Sequence, residues 1–365
     1  SLIILSVPVP LGLLERLNRG ESVIVAEGYV FAFEKLCYIQ AGPFVPEVVI
    51  EHPELVRQMY KDFVRAGSDV VQAFTYYASR SKMTLVSREK DLETINRRAL
   101  KMAREVADET GTLMCGDICN TGEFVSGDEI RNDMVRDMFK EQVEWAASEG
   151  ADFIVGETFV DYEEALIALK AIKQYGKGLP AVITLSVQVG RNDAGKLCTA
   201  DGVEIIDALR RLEAAGADVV GLNCSRGPDT MLPLLKNARG AGIKAPLAAL
   251  PVPYRTNKEE PTFFTLKDPR TGARCFPLDL DCRLCSRSDI IEFGQQCAQL
   301  GIQYVGLCCG NSPHFTRNLA ESLGRKPEAS RFSPNMSLHM VFGNDDSINK
   351  YTSDRPDTYL LENGK

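Results

Sequence analysis

The stretch Ala66-Gly67-Ser68-Asp69-Val70 ends a helix-like segment with a glycine and then enters a run of strand-forming residues. Nearly the same sequence recurs at residues 149–153 and 215–219. A glycine just after a helix adopts a left-handed backbone conformation at little cost, so each stretch predicts a helix end followed by a strand. Three copies of one junction indicate a chain built from repeated helix–strand units.

Eight apolar, strand-like runs alternate with helix-like segments along the chain. Strands that alternate with helices pair in parallel. Eight such units in roughly 250–300 residues favour a closed (β/α)8 TIM barrel of the α/β class, with a doubly wound open sheet as the alternative. The runs cover residues 23–26, 69–74, 112–116, 152–157, 181–186, 218–223, 245–250 and 303–307.

Two segments stand outside these units. Residues 251–286 form a long, proline-rich insertion before the last helix–strand unit, which we expect to be a functional lid or disordered. The barrel domain is expected to cover residues 11–323. The polar tail at residues 324–365 is too poor in aliphatic side chains to build its own core. We therefore expect a flexible tail or an oligomerisation arm. A homo-oligomer is a separate expectation. Residues 201–204 resemble a capping box for the helix that follows.

Composition excludes some classes of protein. A formal net charge of -8 over 365 residues argues against an electrostatic nucleic-acid binder. No apolar run is long enough to span a membrane. Residues 1–10 are apolar but lack basic residues and contain two prolines. They predict a sealing strand or a cloning remnant rather than a signal peptide, and a cytoplasmic location is expected.

Eleven cysteines, an odd number in a chain with an ample core, favour reduced thiols or metal ligands.

Three cysteines follow the sixth and eighth predicted strands, where barrel active sites lie. Cys224 comes after the sixth strand, and Cys308-Cys309 comes after the eighth. Three thiolates suit tetrahedral zinc and leave a fourth position for an incoming thiol, which the metal would deprotonate. Alkyl transfer to that sulfur is the natural reaction. The alternatives are buried structural cysteines or a redox-active pair at Cys308 and Cys309.

Five further cysteines have no assigned role. Cys282 and Cys285 have a spacing that suits zinc, with Cys275 nearby, but they lack a second matching pair. Cys115 and Cys119 lie close to the end of the third predicted strand, away from the other cysteines of the rim.

Several stretches resemble one protein family. Asn223-Cys224 together with Cys308-Cys309-Gly310 resembles the zinc-binding signature of the homocysteine S-methyltransferases. Phe31-Ala32-Phe33-Glu34-Lys35 and Ala41-Gly42-Pro43-Phe44 are similar to the betaine–homocysteine branch of that family. The resemblance covers about residues 11–323, which is nearly the whole predicted barrel.

The resemblance implies a zinc-dependent S-methyltransferase. It would move a methyl group from betaine, or a similar onium donor, to the zinc-bound thiolate of homocysteine and give methionine. Glu157 would bind the amino group of homocysteine, and Gln72 and Thr75 are expected to line the same pocket. The implied zinc ligands are Cys224, Cys308 and Cys309.

The donor needs a site for a cation. Aromatic faces bind quaternary ammonium groups with roughly 0.5–2 kcal/mol per good contact. The resemblance places Phe44 and Tyr77 at the donor, and Phe159 is a further aromatic residue near Glu157. Tyr76 is also a candidate for this pocket. Glu157 and Tyr77 are the residues expected to act in catalysis.

The chain departs from the family pattern on the donor side. The usual Asp-Gly-Gly turn after the first strand is Ala26-Glu27-Gly28 here, so Glu27 and Gly28 are the expected substrate contacts at this turn. Phe44 stands where the betaine enzymes usually carry Trp, and Thr158 where they carry Tyr. A sulfonium donor, dimethylsulfoniopropionate or S-methylmethionine, is therefore an alternative to betaine. A non-catalytic barrel that binds zinc or thiols is the other alternative.

Overall fold

Eight parallel strands close into one barrel, in which β1 pairs with both β2 and β8. The computed structural model describes residues 11–188, 190–191, 195–339 and 343, so the apolar stretch at residues 1–10 lies outside the described residues. The closed order confirms the predicted (β/α)8 barrel and rules out the open sheet. The strands are β1 Val23–Ala26, β2 Val70–Gln72, β3 Leu113–Cys119, β4 Phe153–Phe159, β5 Ala181–Leu185, β6 Val219–Asn223, β7 Leu247–Leu250 and β8 Tyr304–Leu307.

Helix α1 (Leu13–Asn18) precedes β1 and contributes Leu13 and Leu17 to the apolar cluster inside the barrel. The helices that follow the strands pack against the outer face of the sheet. None of the helices in the described ranges is long and apolar enough to cross a membrane. The helices are α1 Leu13–Asn18, α2 Tyr29–Lys35, α3 Val48–Glu51, α4 Pro53–Ala66, α5 Arg80–Thr84, α6 Leu92–Thr110, α7 Glu129–Ser148, α8 Tyr162–Tyr175, α9 Ile205–Ala214, α10 Pro228–Gly240, α11 Arg287–Gln299 and α12 Pro313–Ser322.

The strands alternate between two buried faces. In β1, Val23 and Val25 belong to the apolar cluster that fills the barrel, whereas Ile24 and Ala26 belong to the cluster between the sheet and the helices. Successive side chains of a strand point to opposite faces. The same alternation directs Glu27, the residue that follows β1, toward the barrel interior.

The repeated junctions form as predicted. Gly67, Gly150 and Gly216 all have left-handed backbone, with φ values of 119°, 85° and 99°. In each copy the aspartate two residues later accepts a hydrogen bond from a backbone N–H of the preceding strand. Those N–H groups would otherwise be unpaired at the start of a strand, so the repeat also joins neighbouring strands. The bonds are Ile24 N to Asp69 (2.8 Å), Met114 N to Asp152 (2.7 Å) and Ala181 N to Asp218 (2.8 Å).

The capping box expected at residues 201–204 does not form. Helix α9 begins at Ile205, and its N-cap residue makes no side-chain hydrogen bond to it. Asp201 instead accepts the backbone N–H groups of Tyr162 and Glu163, at the start of α8. The local spacing suits a cap, but the Asp201 carboxylate binds backbone N–H groups of α8, which is distant in sequence.

The insertion between β7 and α11 is an ordered loop. Two isolated antiparallel bridges, Tyr254 with Leu284 and Lys267 with Arg274, hold it together. A short 3-10 helix, Leu280–Arg283, leads to α11, which opens with a reciprocal capping box. The position of this loop, directly before the last helix–strand unit, is as predicted.

The chain divides after Pro327 into two compact units. The barrel lies in the first unit. The described part of the second unit contains two short 3-10 helices, Glu328–Phe332 and Met336–Leu338.

Candidate functional site

A polar layer closes the barrel interior at the carboxyl ends of the strands. Each member lies two or four residues after an apolar residue that points into the barrel from the same strand. Side chains alternate between the two faces of a strand, so these members also point inward. In a barrel the inward residues of neighbouring strands meet in layers. All six are buried: Glu27, Gln72, Asp117, Glu157, Asn223 and Cys308.

Three thiols meet beside this layer. The Sγ atom of Cys309 lies 3.9 Å from that of Cys224 and 4.0 Å from that of Cys308. All three sulfurs lie within 4.8 Å of one another. Strand β8 ends at Leu307, and this end of the regular strand allows two adjacent cysteines to face one point.

The three sulfurs fit a tetrahedral zinc ion. Zinc–sulfur bonds of about 2.3 Å place tetrahedral sulfurs about 3.8 Å apart, close to the observed separations. All eleven cysteines are free thiols, so no disulfide competes for these sulfurs. Hydrogen bonds from Cys308 and Cys309 hold the pKa of Cys224 well below its usual range. Contact with Cys224 raises the pKa of the other two.

The turn after β1 lies against the backbone of one of these cysteines, Cys308. Gly28 has a φ of 90°, and a Cβ atom at this position would lie 2.4 Å from the carbonyl oxygen of Cys308. Such a contact is far shorter than van der Waals packing allows. Glycine is therefore required by both its backbone conformation and its neighbour.

Glu157 is held by three hydrogen bonds. Gln72 Nε2 donates to Oε1 at 2.9 Å, and Asn223 Nδ2 donates to Oε2 at 2.7 Å. The Thr158 hydroxyl donates to Oε2 at 3.2 Å. Burial raises the pKa of Glu157 to about 7, so its charge is sensitive to what binds beside it.

Three oxygens of two further carboxyl groups in this layer lack hydrogen-bond partners. Both oxygens of Glu27 and the Oδ1 atom of Asp117 are buried without one. Burial raises the pKa of both groups, and the charge of Glu157 raises it further. Among the described residues no basic side chain pairs with these carboxyls. A buried carboxyl of this kind either stays protonated or is ionised beside a cation.

The thiols and the carboxyls are contiguous. An oxygen of Glu27, an oxygen of Glu157 and the sulfur of Cys308 lie within 4.8 Å of one another. Thr75, which was expected to line the pocket, donates its hydroxyl to the backbone oxygen of Asp117 at 2.6 Å. It therefore positions β3 rather than offering a free hydroxyl.

The expected aromatic residues of the donor site differ in their surroundings. The half-buried Phe44 ring lies 5.8 Å from that of Phe31. The Tyr77 ring is stacked on Tyr76 at 4.3 Å, and the Lys82 ammonium lies 4.6 Å from its centroid. Both contacts occupy ring faces of Tyr77, so Tyr76 is the better placed of the two to offer an open face.

Phe159 is not brought to this site. The pairing of β4 with β5 shifts register between Gly156 and Phe159, and Thr158 has a φ of 62°. This irregularity turns Phe159 outward, where its fully buried ring packs edge-on against Phe139 of α7. The predicted strand ended at residue 157, so the sequence could not show which face Phe159 occupies.

Residues other than glycine that adopt a left-handed backbone conformation, with positive φ, are concentrated in this region. Phe44, Tyr77, Thr158, Cys224 and Ser225 account for five of the eight such residues in the described part of the chain. This conformation costs free energy for a residue with a side chain and persists where the surroundings enforce it, often at functional sites.

Sequence reasoning missed three residues of the site. Asp117 lies inside an apolar strand, which was a usable signal, but the predicted strand ended at residue 116. Asn223 was recognised only as part of a motif, although it bonds Glu157. Lys82 gave no signal, because its neighbour Tyr77 is five residues away and the turn between them was not predicted.

The sequence profile of the family described as homocysteine S-methyltransferase matches residues 32–323. This match covers most of the chain, including the eight-stranded barrel, so the protein is an S-methyltransferase by class. The chain is a member of the homocysteine S-methyltransferase family. Membership confirms the predicted family, the S-methyltransferase class and homocysteine as the methyl acceptor.

Known relatives differ in the donor that their names state. The chain is 35% identical to betaine–homocysteine S-methyltransferase 1 of Xenopus tropicalis, with 91% of this chain and 80% of the relative covered. It is 34% identical to S-methylmethionine–homocysteine S-methyltransferase BHMT2 of Pongo abelii, with 91% and 86% covered. The metallated homocysteine methyltransferase MmuM of Escherichia coli shares the fold, with a TM-score of 0.64, 17% identity, and 84% of this chain and 99% of that chain covered.

Proposed function

We propose that this homocysteine methyltransferase binds its acceptor between the three thiols and the buried carboxyls, and takes the methyl group from betaine or a similar onium donor. The proposal rests on the position of Cys308, which belongs to the three-thiol group. Its sulfur also lies within 4.8 Å of an oxygen of Glu27 and an oxygen of Glu157. Homocysteine carries a thiol and an amino group a few bonds apart, so one molecule would reach both sites.

Zinc is the proposed metal, held by Cys224, Cys308 and Cys309. When bound, it would keep the thiol of the acceptor deprotonated at neutral pH, which makes that sulfur a nucleophile. The support is the match between the sulfur separations and tetrahedral geometry, together with the free state of the thiols.

The carboxyl groups would orient the acceptor. Glu157, fixed by Gln72 and Asn223, binds the ammonium group, and Glu27 and Asp117 add two buried carboxyls on the same side. A bound ammonium supplies the hydrogen-bond donors that these oxygens lack. It also favours their ionised forms, because an opposite charge lowers the pKa of a carboxyl group.

The chemical step is an in-line displacement. The sulfur of homocysteine attacks the methyl carbon and forms the new S–CH3 bond. The bond from that carbon to the onium nitrogen or sulfur breaks, and its electron pair remains on the leaving group. Opposite charges are consumed, so a site that excludes water favours the reaction. The residues serve to hold sulfur and methyl in line.

A carboxylate-bearing donor fits the residues of the rim. Phe44 and Tyr76 would contact the onium group, with Tyr77 beside them. The Lys82 ammonium, over the Tyr77 ring, would pair with the carboxylate of the donor. Betaine is the first choice. Dimethylsulfoniopropionate and S-methylmethionine also carry a cationic methyl group and a carboxylate, and remain the alternatives.

A donor panel tests this proposal. Purified protein is expected to contain about one zinc per chain, as one three-thiolate site requires. Homocysteine is then offered with betaine, dimethylsulfoniopropionate or S-methylmethionine, and methionine is measured. Methionine formed from a sulfonium compound but not from betaine would reject betaine as the donor. Absence of bound metal in active protein would reject the zinc site.

We also propose that the barrel, residues 11–323, carries the whole reaction, and that the tail at residues 324–365 serves subunit assembly. The support is that every proposed site residue lies between Glu27 and Cys309. A chain ended after Pro327 should retain methyl transfer per folded barrel and change its oligomeric state, measured by light scattering. An unchanged oligomeric state would contradict the proposed role of the tail in assembly.

A further inference from the structure

Two thiols meet outside the three-thiol site, in the loop between β7 and α11. The Sγ atoms of Cys275 and Cys282 lie 3.5 Å apart. Both cysteines are free thiols, and neither belongs to the group formed by the three rim cysteines. The methyl transfer reaction leaves this pair without a role.

The loop backbone is built so that these residues meet. The N–H of Cys275 donates to the oxygen of Leu266 at 3.0 Å, next to the bridge between Lys267 and Arg274. The oxygen of Cys275 then accepts the N–H of Asp279 at 2.8 Å, which turns the chain back. The 3-10 helix that follows carries Cys282 over Cys275.

The two thiols differ in access. Cys275 is buried and Cys282 is exposed. A small oxidant in solution can therefore reach the sulfur of Cys282 first, and the buried sulfur of Cys275 lies next to it. This division between an accessible thiol and a resolving thiol is what a reversible disulfide requires.

We propose that Cys275 and Cys282 form a reversible disulfide. With a small disulfide as oxidant, such as oxidised glutathione, the Cys282 thiolate attacks one sulfur of the oxidant and releases one thiol. The Cys275 sulfur, losing its proton to water, then attacks the sulfur of Cys282 and releases the second thiol. Two protein thiols become one disulfide, and the oxidant is reduced to two thiols.

The required movement is small. A disulfide bond is about 2.05 Å long, so the sulfurs must approach by roughly 1.5 Å from their present separation. Metal binding by this region is a poorer fit. Cys285, the third thiol of the insertion, is not part of any three-ligand group among the described residues.

The bond would stiffen a segment that connects to the rim. Within the ring that it closes, Phe276 packs against Phe263 and Phe264, at 4.9 Å and 4.6 Å between ring centroids. Asp281 forms an ion pair with Lys35, at the end of α2. The disulfide would therefore restrict opening of the part of the loop that touches α2.

Peptide mapping tests the pair in the full-length, zinc-loaded protein. Trypsin cleaves after Arg274 and Arg283, so both cysteines fall in one peptide, residues 275–283. After treatment with oxidised glutathione and alkylation, this peptide is expected to lack two hydrogens and to carry no alkyl group. After treatment with a reducing agent, it should carry two alkyl groups.

Two variants and one internal control make the test specific. Cys282→Ser should leave one alkylated thiol in the peptide, whereas Cys285→Ser, its close neighbour, should form the disulfide as the parent does. Cys37 is exposed, and its conversion to a glutathione adduct shows that the oxidant was active. Two alkylated thiols in the peptide despite that adduct would overturn the proposal, as would a stable glutathione adduct on Cys282.

Discussion

Asn223 Nδ2 lies 2.7 Å from Glu157 Oε2, so an amide at the end of β6 fixes a buried carboxylate of β4. The same nitrogen lies 3.9 Å from the sulfur of Cys308. One side chain thus links the proposed ammonium site to the proposed metal site.

Replacing this amide should weaken acceptor binding. Hydrogen bonds to a charged group contribute about 1.5–3 kcal/mol, so Asn223→Ala is expected to raise the KM for homocysteine roughly tenfold to a hundredfold. The zinc content should stay near that of the parent. Asn318→Ala, a change of another buried asparagine, serves as the control. An unchanged KM in Asn223→Ala would contradict the positioning role.

Removing one thiol should abolish both metal binding and activity. Cys308→Ala leaves two sulfurs, too few for a stable thiolate site, so zinc and methionine formation are expected to be lost together. Cys297→Ala removes a buried thiol in α11 and should change neither. Metal analysis and a methionine assay provide the readouts. Full activity in Cys308→Ala would exclude the zinc mechanism.

The stability of the metal-free protein should depend on Glu157 and pH. Its folded-state pKa, about 7, exceeds the ordinary value of 4.5, so the folded state holds this proton more tightly. Its contribution to stability is complete below pH 4.5 and is lost as pH rises through 7. The free energy of unfolding should fall by on the order of 3 kcal/mol over this range. Denaturant titrations should show a smaller fall in Glu157→Gln, and equal falls would refute the assignment.

Lys82 should matter for the donor and not for the acceptor. A partly exposed ion pair contributes about 1 kcal/mol, so Lys82→Met is expected to raise the KM for betaine roughly fivefold. The KM for homocysteine should not change. Lys140→Met is a matched control, since that ammonium also lies over a tyrosine ring, 5.3 Å from the centroid of Tyr175. A larger effect on homocysteine than on betaine would place Lys82 elsewhere in the mechanism.

Gly28 should not tolerate a side chain. A Cβ atom there would meet the oxygen of Cys308 at 2.4 Å, and the backbone has a φ of 90°. Gly28→Ala is therefore expected to displace Cys308 and to lower zinc content and melting temperature together. Gly127→Ala is a control with positive φ and open space around it. Normal zinc content in Gly28→Ala would show that the turn adjusts without cost.

The fold could be predicted because it depends on local patterns. The junction at residues 66–70 and its two copies have the same backbone geometry and the same strand-to-strand hydrogen bond. The three thiols were predicted because their chemistry is specific and the strand ends place them together. Phe159 and Asp201 could not be placed correctly, since a register shift and a distant hydrogen-bond partner decide their positions. Neither feature leaves a mark in the neighbouring sequence.

Strand β8 is the last strand of the barrel to be synthesised. Cys224 leaves the ribosome 85 residues before Cys309. A growing chain that ends before β8 offers one sulfur of the three and has an open edge where β1 should pair. Capture of a metal by the complete set of ligands must therefore follow synthesis of the last strand. Binding of the proposed metal would therefore mark a finished barrel, and translation that stops short of residue 309 would yield a chain without the complete three-thiol group.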